Sequence, residues 1–484
     1  QTIAFAGTGD QEFNNMDDAT FGTIELAKPS GALIIPSGSN VECESYDWTS
    51  GTLTLNGGDF TALDLADPGL FGTNNFYSGT AHFYQDDDQY PDINGDIVIQ
   101  DAIVTIEGGF SVSVWAWSEE ASLTMSGGEF NFYDNGIGIE SDWAPLFTEN
   151  ITGGTISTNG SFTCYRPGFT PEGGELKMIG SNEQVLKVSS GHLHHLTIEK
   201  YETEKSMPDV RSRTGEVIAP VDNVRVNLDA NLNVHGTTLL ESGELVTMGF
   251  DMNCYDDVEI NDGGSLVVTN PTILALDDAA SLNVNTGGIL EIEGNTTDHC
   301  TVSSISGYYN LNVYNGGTIK AMHTIFEKMS TNGVNILSGG IIDPVSPFDH
   351  CTFRWGKPGS TLMTINNDQT LVINGAEFTS AGGENYNVTK TVNAGQVNFT
   401  DYVGDFSGES YEKDPYNRIH WFEPELAVSP SNRNVGAAAG TTTFNVTSNI
   451  DWTVTEGFDW IDVLPMSGTG DGTLTVNYDE NTSV

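Results

Sequence analysis

Positive charge is what this chain has least of. Its 484 residues hold 17 Lys and Arg against 67 Asp and Glu, a formal net charge of −50. Phosphate backbones are gripped by clustered cations, so nucleic acid is excluded as a partner. Anionic lipid surfaces are disfavoured for the same reason. Cysteine is scarce as well: five residues, an odd number, with no CxxC pair, which is not a disulfide framework. No run of about 18 apolar residues occurs, so direct membrane insertion by a spanning helix is not expected. Few windows carry a helical period. Glycine is abundant, at 55 residues, and Thr, Asn, Ser and Val alternate over long stretches. That is the composition of an all-β protein. The strong negative charge suits a protein that resists self-association in solution. Gln1 reads as a mature end left by signal cleavage, which makes a secreted, extracellular location the expectation.

One phrase returns along the chain: a polar residue, glycine, then an apolar strand. It reads "ESGELVTM", "NDGGSLVV", "NTGGILEI", "NGGTIKAM" and "LSGGIIDP", with last glycines at Gly243, Gly264, Gly288, Gly317 and Gly340. The front half repeats it as "EGGFSVSV", "SGGEFNFY", "TGGTISTN" and "EGGELKMI", with Gly109, Gly128, Gly154 and Gly174. A period of roughly 20–30 residues with glycine turns between short strands marks a solenoid. Three short strands and three turns fit one coil. A single coil cannot bury its inward side chains; stacked coils share one core. The fold expected is a right-handed parallel β-helix of about 17 coils, a rod near 80 Å long at about 4.8 Å per coil. The recurring glycine is expected at corners that need a positive φ.

The tetrapeptide "DHCT" occurs at Asp298–Thr301 and again at Asp349–Thr352. A metal site and a nucleophilic Cys–His pair both use these residue types. The separation of the copies is that of about two coils, however. Cys300 and Cys351 then take equivalent inward places on one wall, about 10 Å apart and out of disulfide reach. Asp and His form the preceding corner.

The chain divides into irregular coils with long loops (1–175), regular coils (176–423) and a small β-sandwich (424–484). Residues 199–222, "EKYETEKSMPDVRSRTGEVIAPVD", break the rhythm as a polar insertion. Eight of the 17 cations lie between Arg166 and Arg225, either balancing an acidic body or forming a docking patch.

The last segment carries "LAVSP", "TTTFNVTSNIDWTV" and "DWIDVLPMSGTGDGTLTVNYDENTS". It resembles the BACON family, immunoglobulin-like modules of Bacteroidota surface and carbohydrate-active proteins, and looks incomplete at Val484. The coils resemble large secreted β-helical proteins of the same bacteria, with "YEKDPYNRIHW" as a coil-closing segment. The resemblance implies export as type 9 secretion cargo, with the type 9 translocon and cell-surface components as partners, and contact with glycans. Trp452 and Trp460 are expected in the module's core.

Catalysis is weighed because β-helices host polysaccharide lyases and glycosidases. An inverting glycosidase needs two carboxyl groups about 6.5–9.5 Å apart. Asp17–Asp18, Asp256–Asp257 and Asp277–Asp278 are paired, and His235–Gly236 precedes the last two pairs. The order is wrong for a polygalacturonase-like site and no R-x-K follows. No enzyme, and no catalytic or metal residue, is therefore expected. "DDDQYPDINGD" at Asp86–Asp96 offers alternating oxygen ligands, fitting either a structural Ca²⁺ clip or a solvated acidic loop. His192 and His194 in "HLHH" share a strand face without a third zinc ligand. Trp115 and Trp117 share a face, as core or as a sugar-stacking platform. The expected function is a secreted, adhesin-like surface rod that contacts glycans; the alternative is a polysaccharide lyase or glycoside hydrolase on the same scaffold.

Overall fold

In parallel β-coils, each strand's hydrogen-bonding groups face the coils above and below, so register between coils organises the structure. The computed structural model describes residues 1–482 apart from 18, 66–68, 86–91, 109–110, 115–120, 134–135, 140–146, 167, 202–223, 270 and 424. The polar insertion at 199–222 therefore lies almost wholly outside the described residues, as do Trp115, Trp117, Asp18 and the acidic run Asp86–Asp88. The chain is an all-β parallel solenoid of about 16 coils followed by a small antiparallel module. Among the described residues the one helical element is the 3₁₀ turn Glu409–Tyr411.

The repeated phrase is the coil register itself. Gly243 pairs with Gly264 on the next coil, and the pairs Ser265–Ile289, Ile289–Thr318 and Thr318–Ile341 carry the same alignment through the following coils. The front phrases align likewise through Glu129, Thr155 and Glu175. The role given to glycine needs correction at four of these places. In the Gly-Gly pairs of these later coils it is the first residue that takes positive φ, Gly263, Gly287, Gly316 and Gly339, whereas in the front phrases it is the second, Gly128, Gly154 and Gly174. In the later pairs the second is glycine for space, because a Cβ on Gly264 would stand 2.2 Å from the Leu240 carbonyl oxygen of the preceding coil.

Early coils use long strands that bend without breaking: Thr20–Pro36, Asn40–Ala62, Gly69–Gln85 and Asp92–Gly108. Later coils use three short strands each. One wall of the later coils is built from Leu232–Val234, Met252–Cys254, Ile273–Leu276, Cys300–Ser304, Thr324–Glu327, Thr352–Arg354 and Glu377–Thr379, all parallel. Because strand side chains alternate, one inward column runs Leu232, Met252, Leu274, Val302, Phe326, Phe353, Phe378. Every member is buried. The three phenylalanine rings stack at 5.3 and 5.1 Å. Full burial of such a side chain is worth about 1.5–3 kcal/mol, and the column repeats it coil after coil.

Asparagines form a second, outward ladder: Asn335 Nδ2 donates to Asn312 Oδ1 at 3.0 Å, and Asn312 Nδ2 to Asn283 Oδ1 at 3.1 Å. The solenoid closes with Ile419–Phe422 laid parallel on Gln396–Thr400, where Trp421 stacks on Phe399 at 4.2 Å. Its indole N–H donates to Glu412 at 2.7 Å.

The C-terminal module pairs Leu426–Ser429, Gly440–Ser448, Gly472–Tyr478 and Ile461–Leu464 antiparallel. Its core is Val446, Trp452, Val463 and Leu474. Trp452 is buried as expected, but Trp460 is 50% exposed. Trp460 stands in the turn that precedes the strand Ile461–Leu464, closed by the Ile461 N–H on the Phe458 carbonyl at 3.2 Å, and lies against exposed Phe458.

Candidate functional site

Where neighbouring coils turn a corner with loops of different length, the solenoid surface must be indented. After Thr324–Glu327 a single residue, Lys328, leads into the next strand at Met329. Lys328 takes positive φ, 58°, to make so tight a corner. The coil before turns through residues 305–308, and the two coils after through 355–360 and 380–385. The short corner becomes a floor and its neighbours become walls. The result is an open cleft of about 450 Å³ lined by Tyr308, Lys328, Trp355, Pro358, Glu384 and glycine backbone.

Each wall is fixed from below. Asp278 accepts a hydrogen bond from the Tyr308 backbone N–H at 2.9 Å, and Asp277 accepts one from the Ser306 hydroxyl at 2.6 Å. That second bond is the leading cause holding the Asp277 carboxyl below its ordinary range. Glu384 is buried; its two oxygens accept from Ser380 Oγ at 2.6 Å and from the Ala381 N–H at 3.3 Å, which shapes the third wall. Trp355 is 42% exposed. The Arg354 guanidinium covers one indole face at 4.0 Å and is itself held by Glu327 at 2.8 Å. Lys328 donates to the Ser304 carbonyl at 3.2 Å. Among the described residues no carboxylate lies within ion-pair distance of it.

Two of the aspartate pairs singled out from sequence, Asp256–Asp257 and Asp277–Asp278, are corner caps. Asp256 Oδ1 accepts from the Asp257 N–H at 2.8 Å, and Asp257 Oδ1 from the Ser281 N–H at 2.7 Å. The pair Asp277–Asp278 stands one coil further on, since Cys254 pairs with Leu276. His235 belongs to the same corner one coil earlier, where its ring lies 4.5 Å from Tyr255 and 3.6 Å from His192. Asp17 is exposed on the first coils.

The histidines of "HLHH" do not converge. His192 Nε2 meets the Pro171 carbonyl at 3.1 Å, His195 Nδ1 accepts from the Thr237 N–H at 3.0 Å, and His194 Nδ1 is buried without a partner. Burial, and then the neighbouring imidazoles, hold His194 and His235 below the ordinary histidine range. Among the described residues no group of three His, Cys, Asp or Glu is placed to hold a metal. Of the segment Asp86–Asp96, residues 86–91 lie outside the described residues, and Asp96 accepts from Ser122 Oγ at 2.6 Å.

The two "DHCT" copies stand two coils apart, as their spacing implies. Cys300 pairs with Thr324, and Cys351 follows one coil later on the register of Ile325 with Thr352. Both thiols are fully buried. Burial pushes Cys300 up to about 11 and Cys351 higher still, away from the thiolate that nucleophilic chemistry requires. Their histidines stay outside with His323 between them, His323 and His350 stacked at 4.9 Å.

Sequence reasoning missed the cleft. Its signal was present as unequal corner lengths between aligned strands, with "EKM" against "RWGKPGST", but it emerges only once the coils are in register.

Residues 425–484 match the family model described as the viral BACON domain. No curated protein matches the chain, and no solved structure does. No helix is long and apolar enough to cross a membrane among the described residues. The chain is thus a parallel β-solenoid that carries an immunoglobulin-like BACON domain at residues 425–484.

Proposed function

We propose that this chain is a secreted surface protein of the adhesin type, a rigid solenoid that holds a BACON domain and its own corner loops toward glycan-bearing surroundings. The observation that carries the reading is the union of one continuous core, from Ile24 to Ile419, with a BACON domain at its end. Solenoid coils contact only their neighbours, so the rod can fold coil by coil as it emerges from a translocon. The high negative charge opposes aggregation in transit. In this reading export runs through the type 9 machinery. Surface labelling of intact cells tests it. Label at the surface of wild-type cells, lost when the translocon is deleted, is the expected result. Label confined to the cytoplasm overturns the surface role; undiminished display in the translocon mutant overturns the route.

A second reading is favoured by the word viral in the matching family's description: a particle-borne protein that touches the host surface. Immunogold on purified virus particles separates it from the first. An enzyme on this scaffold is the third. The corner aspartates speak against it, since they are engaged in capping backbone N–H groups. Glycan cleavage that Asp256→Asn or Asp257→Asn abolishes would favour it.

A further inference from the structure

The corner cleft has the chemistry of a sugar site. An exposed indole is backed on one face by a guanidinium that is itself ion-paired, so the ring is held in place with its other face free. A pyranose presents an apolar face of C–H bonds whose hydrogens are weakly positive, and the face of an aromatic ring is negative. Around that platform stand the two things a ring of hydroxyls needs. Lys328 has N–H donors beyond the one given to Ser304. Carboxylate lone pairs on Glu384 and the carbonyls of the glycine-lined wall supply acceptors. Gly382 and Gly383 keep that wall low: a Cβ on Gly382 would meet nothing within 4 Å.

Charge decides the kind of sugar. Salt screens exposed charges beyond about 8 Å, so the local balance matters more than the chain's total. Lys328, Arg354 and Lys357 at this corner stand against Glu327, Glu384 and Asp405, the last of which accepts from the Ser380 N–H at 3.3 Å, and against Asp277 and Asp278 under the Tyr308 wall. The corner has no cationic excess to attract an anionic sugar. The cleft spans three coil steps, about 14 Å, and its volume falls in the roughly 300–1,000 Å³ range of small-molecule sites.

We infer that the cleft between Tyr308 and Trp355 binds a neutral pyranose unit of a short oligosaccharide, stacked on Trp355 and hydrogen-bonded by Lys328 and Glu384. This deepens the proposed glycan contact by placing it on the solenoid instead of the BACON domain. It does not depend on how the protein is exported.

The test is saturation-transfer NMR and titration calorimetry on the purified full chain. The probes are neutral hexose and N-acetylhexosamine oligomers and, separately, oligouronates. Neutral oligomers are expected to bind in the millimolar range or tighter. Trp355→Ala should weaken binding about tenfold or more, and Trp355→Phe should retain most of it. Tyr308→Ala provides a second, independent wall variant should Trp355→Ala fold poorly; thermal melts report folding for each. Trp460→Ala, on the module, should leave binding unchanged. Absence of neutral-sugar binding, tighter binding of oligouronates, full affinity in folded Trp355→Ala and Tyr308→Ala, or loss of affinity in Trp460→Ala alone would each overturn the inference. None of these outcomes bears on surface localisation, so the two readings fail separately.

Discussion

The coils before residue 165 and those after residue 225 solve one problem in two ways. Early coils hold register through long uninterrupted backbone ladders: Gly69–Gln85 and Asp92–Gly108 pair residue by residue along almost their whole length. Later coils have strands of mostly three to six residues, too few hydrogen bonds to fix register alone, and add side-chain ladders of Asn, Phe and His. Packing follows the same division. Early coils enclose an apolar void of about 30 Å³ lined by residues such as Phe130, Phe132, Ile137 and Phe162. The column from Leu232 to Phe378 is buried throughout and ends in three rings stacked one on another. Backbone ladders tolerate loose filling, whereas a ring stack or an amide ladder needs a matching side chain at each of its steps.

The largest expected effect tests that contrast directly. Phe353→Ala opens the middle of the three-ring stack and should cost about 3–5 kcal/mol. Phe130→Ala should cost less, because part of its surface already faces the void and lacks contacts to lose. Urea unfolding of both variants, read by far-UV circular dichroism, supplies the comparison. An equal or reversed order would break the distinction between the two regions.

A smaller effect is expected from the asparagine ladder. Asn312 accepts from Asn335 and donates to Asn283. Asn312→Ala removes both bonds and should destabilise by about 1–2 kcal/mol in total. Its amide exchange signature should be confined to the coils around residues 283–335. Loosening that spreads equally into residues 40–108 would show that register is set globally and not coil by coil.

Much of this architecture was legible beforehand because the repeat is dictated by space. Gly264 and its equivalents are spaced by coil length, so the phrase gives the coils directly. Cys300 and Cys351 were placed for the same reason. The site was not legible. Lys328 and Trp355 stand on adjacent coils only because Glu327 pairs with Arg354, and no local pattern announces that pairing. The aspartate pairs suggest acid–base chemistry by adjacency alone and were not assigned to it; at the solenoid corner Asp257 and Asp278 cap N–H groups of the next turn. Trp460, expected in the module's core, stands in the turn before Ile461–Leu464 and is 50% exposed.

Acid sharpens the comparison further. Eight of the nine histidines lie after residue 190. Burial, followed by neighbouring imidazoles, lowers His194, His235 and His323 below their ordinary value, while Asp256 and Asp349 oppose this at His194 and His323. Groups lowered in the fold bind fewer protons folded than unfolded, so their contribution is complete above about pH 6.5 and is lost as pH falls toward the lowered values. Mild acid should therefore loosen the later coils first, seen as faster amide exchange around residues 192–260 and 299–350. His323→Asn, which suits the positive φ of 48° there, should remove part of that dependence. Uniform loosening along the rod would remove the histidines as its cause.

The smallest effect is expected where the later coils end. Burial pushes the Glu412 carboxyl up to about 7, partly opposed by the hydrogen bond it accepts from Trp421. A carboxyl raised above its unfolded value, 4.5, binds more protons folded than unfolded between those two limits. Its favourable share is complete below the lower limit and is lost as pH climbs through the upper one. Glu412→Gln keeps an acceptor for the indole N–H and removes the charge. The variant should match the parent near about pH 5 and melt slightly higher near about pH 8. The group is partly exposed, so the gain is small. Trp421 reads it independently: its stacking on Phe399 closes the solenoid, and its fluorescence should shift less with pH in the variant. If Glu412→Gln melts lower at both pH values, the carboxylate itself holds the closing coil, and the end of the solenoid is pinned by charge in addition to the ring stack.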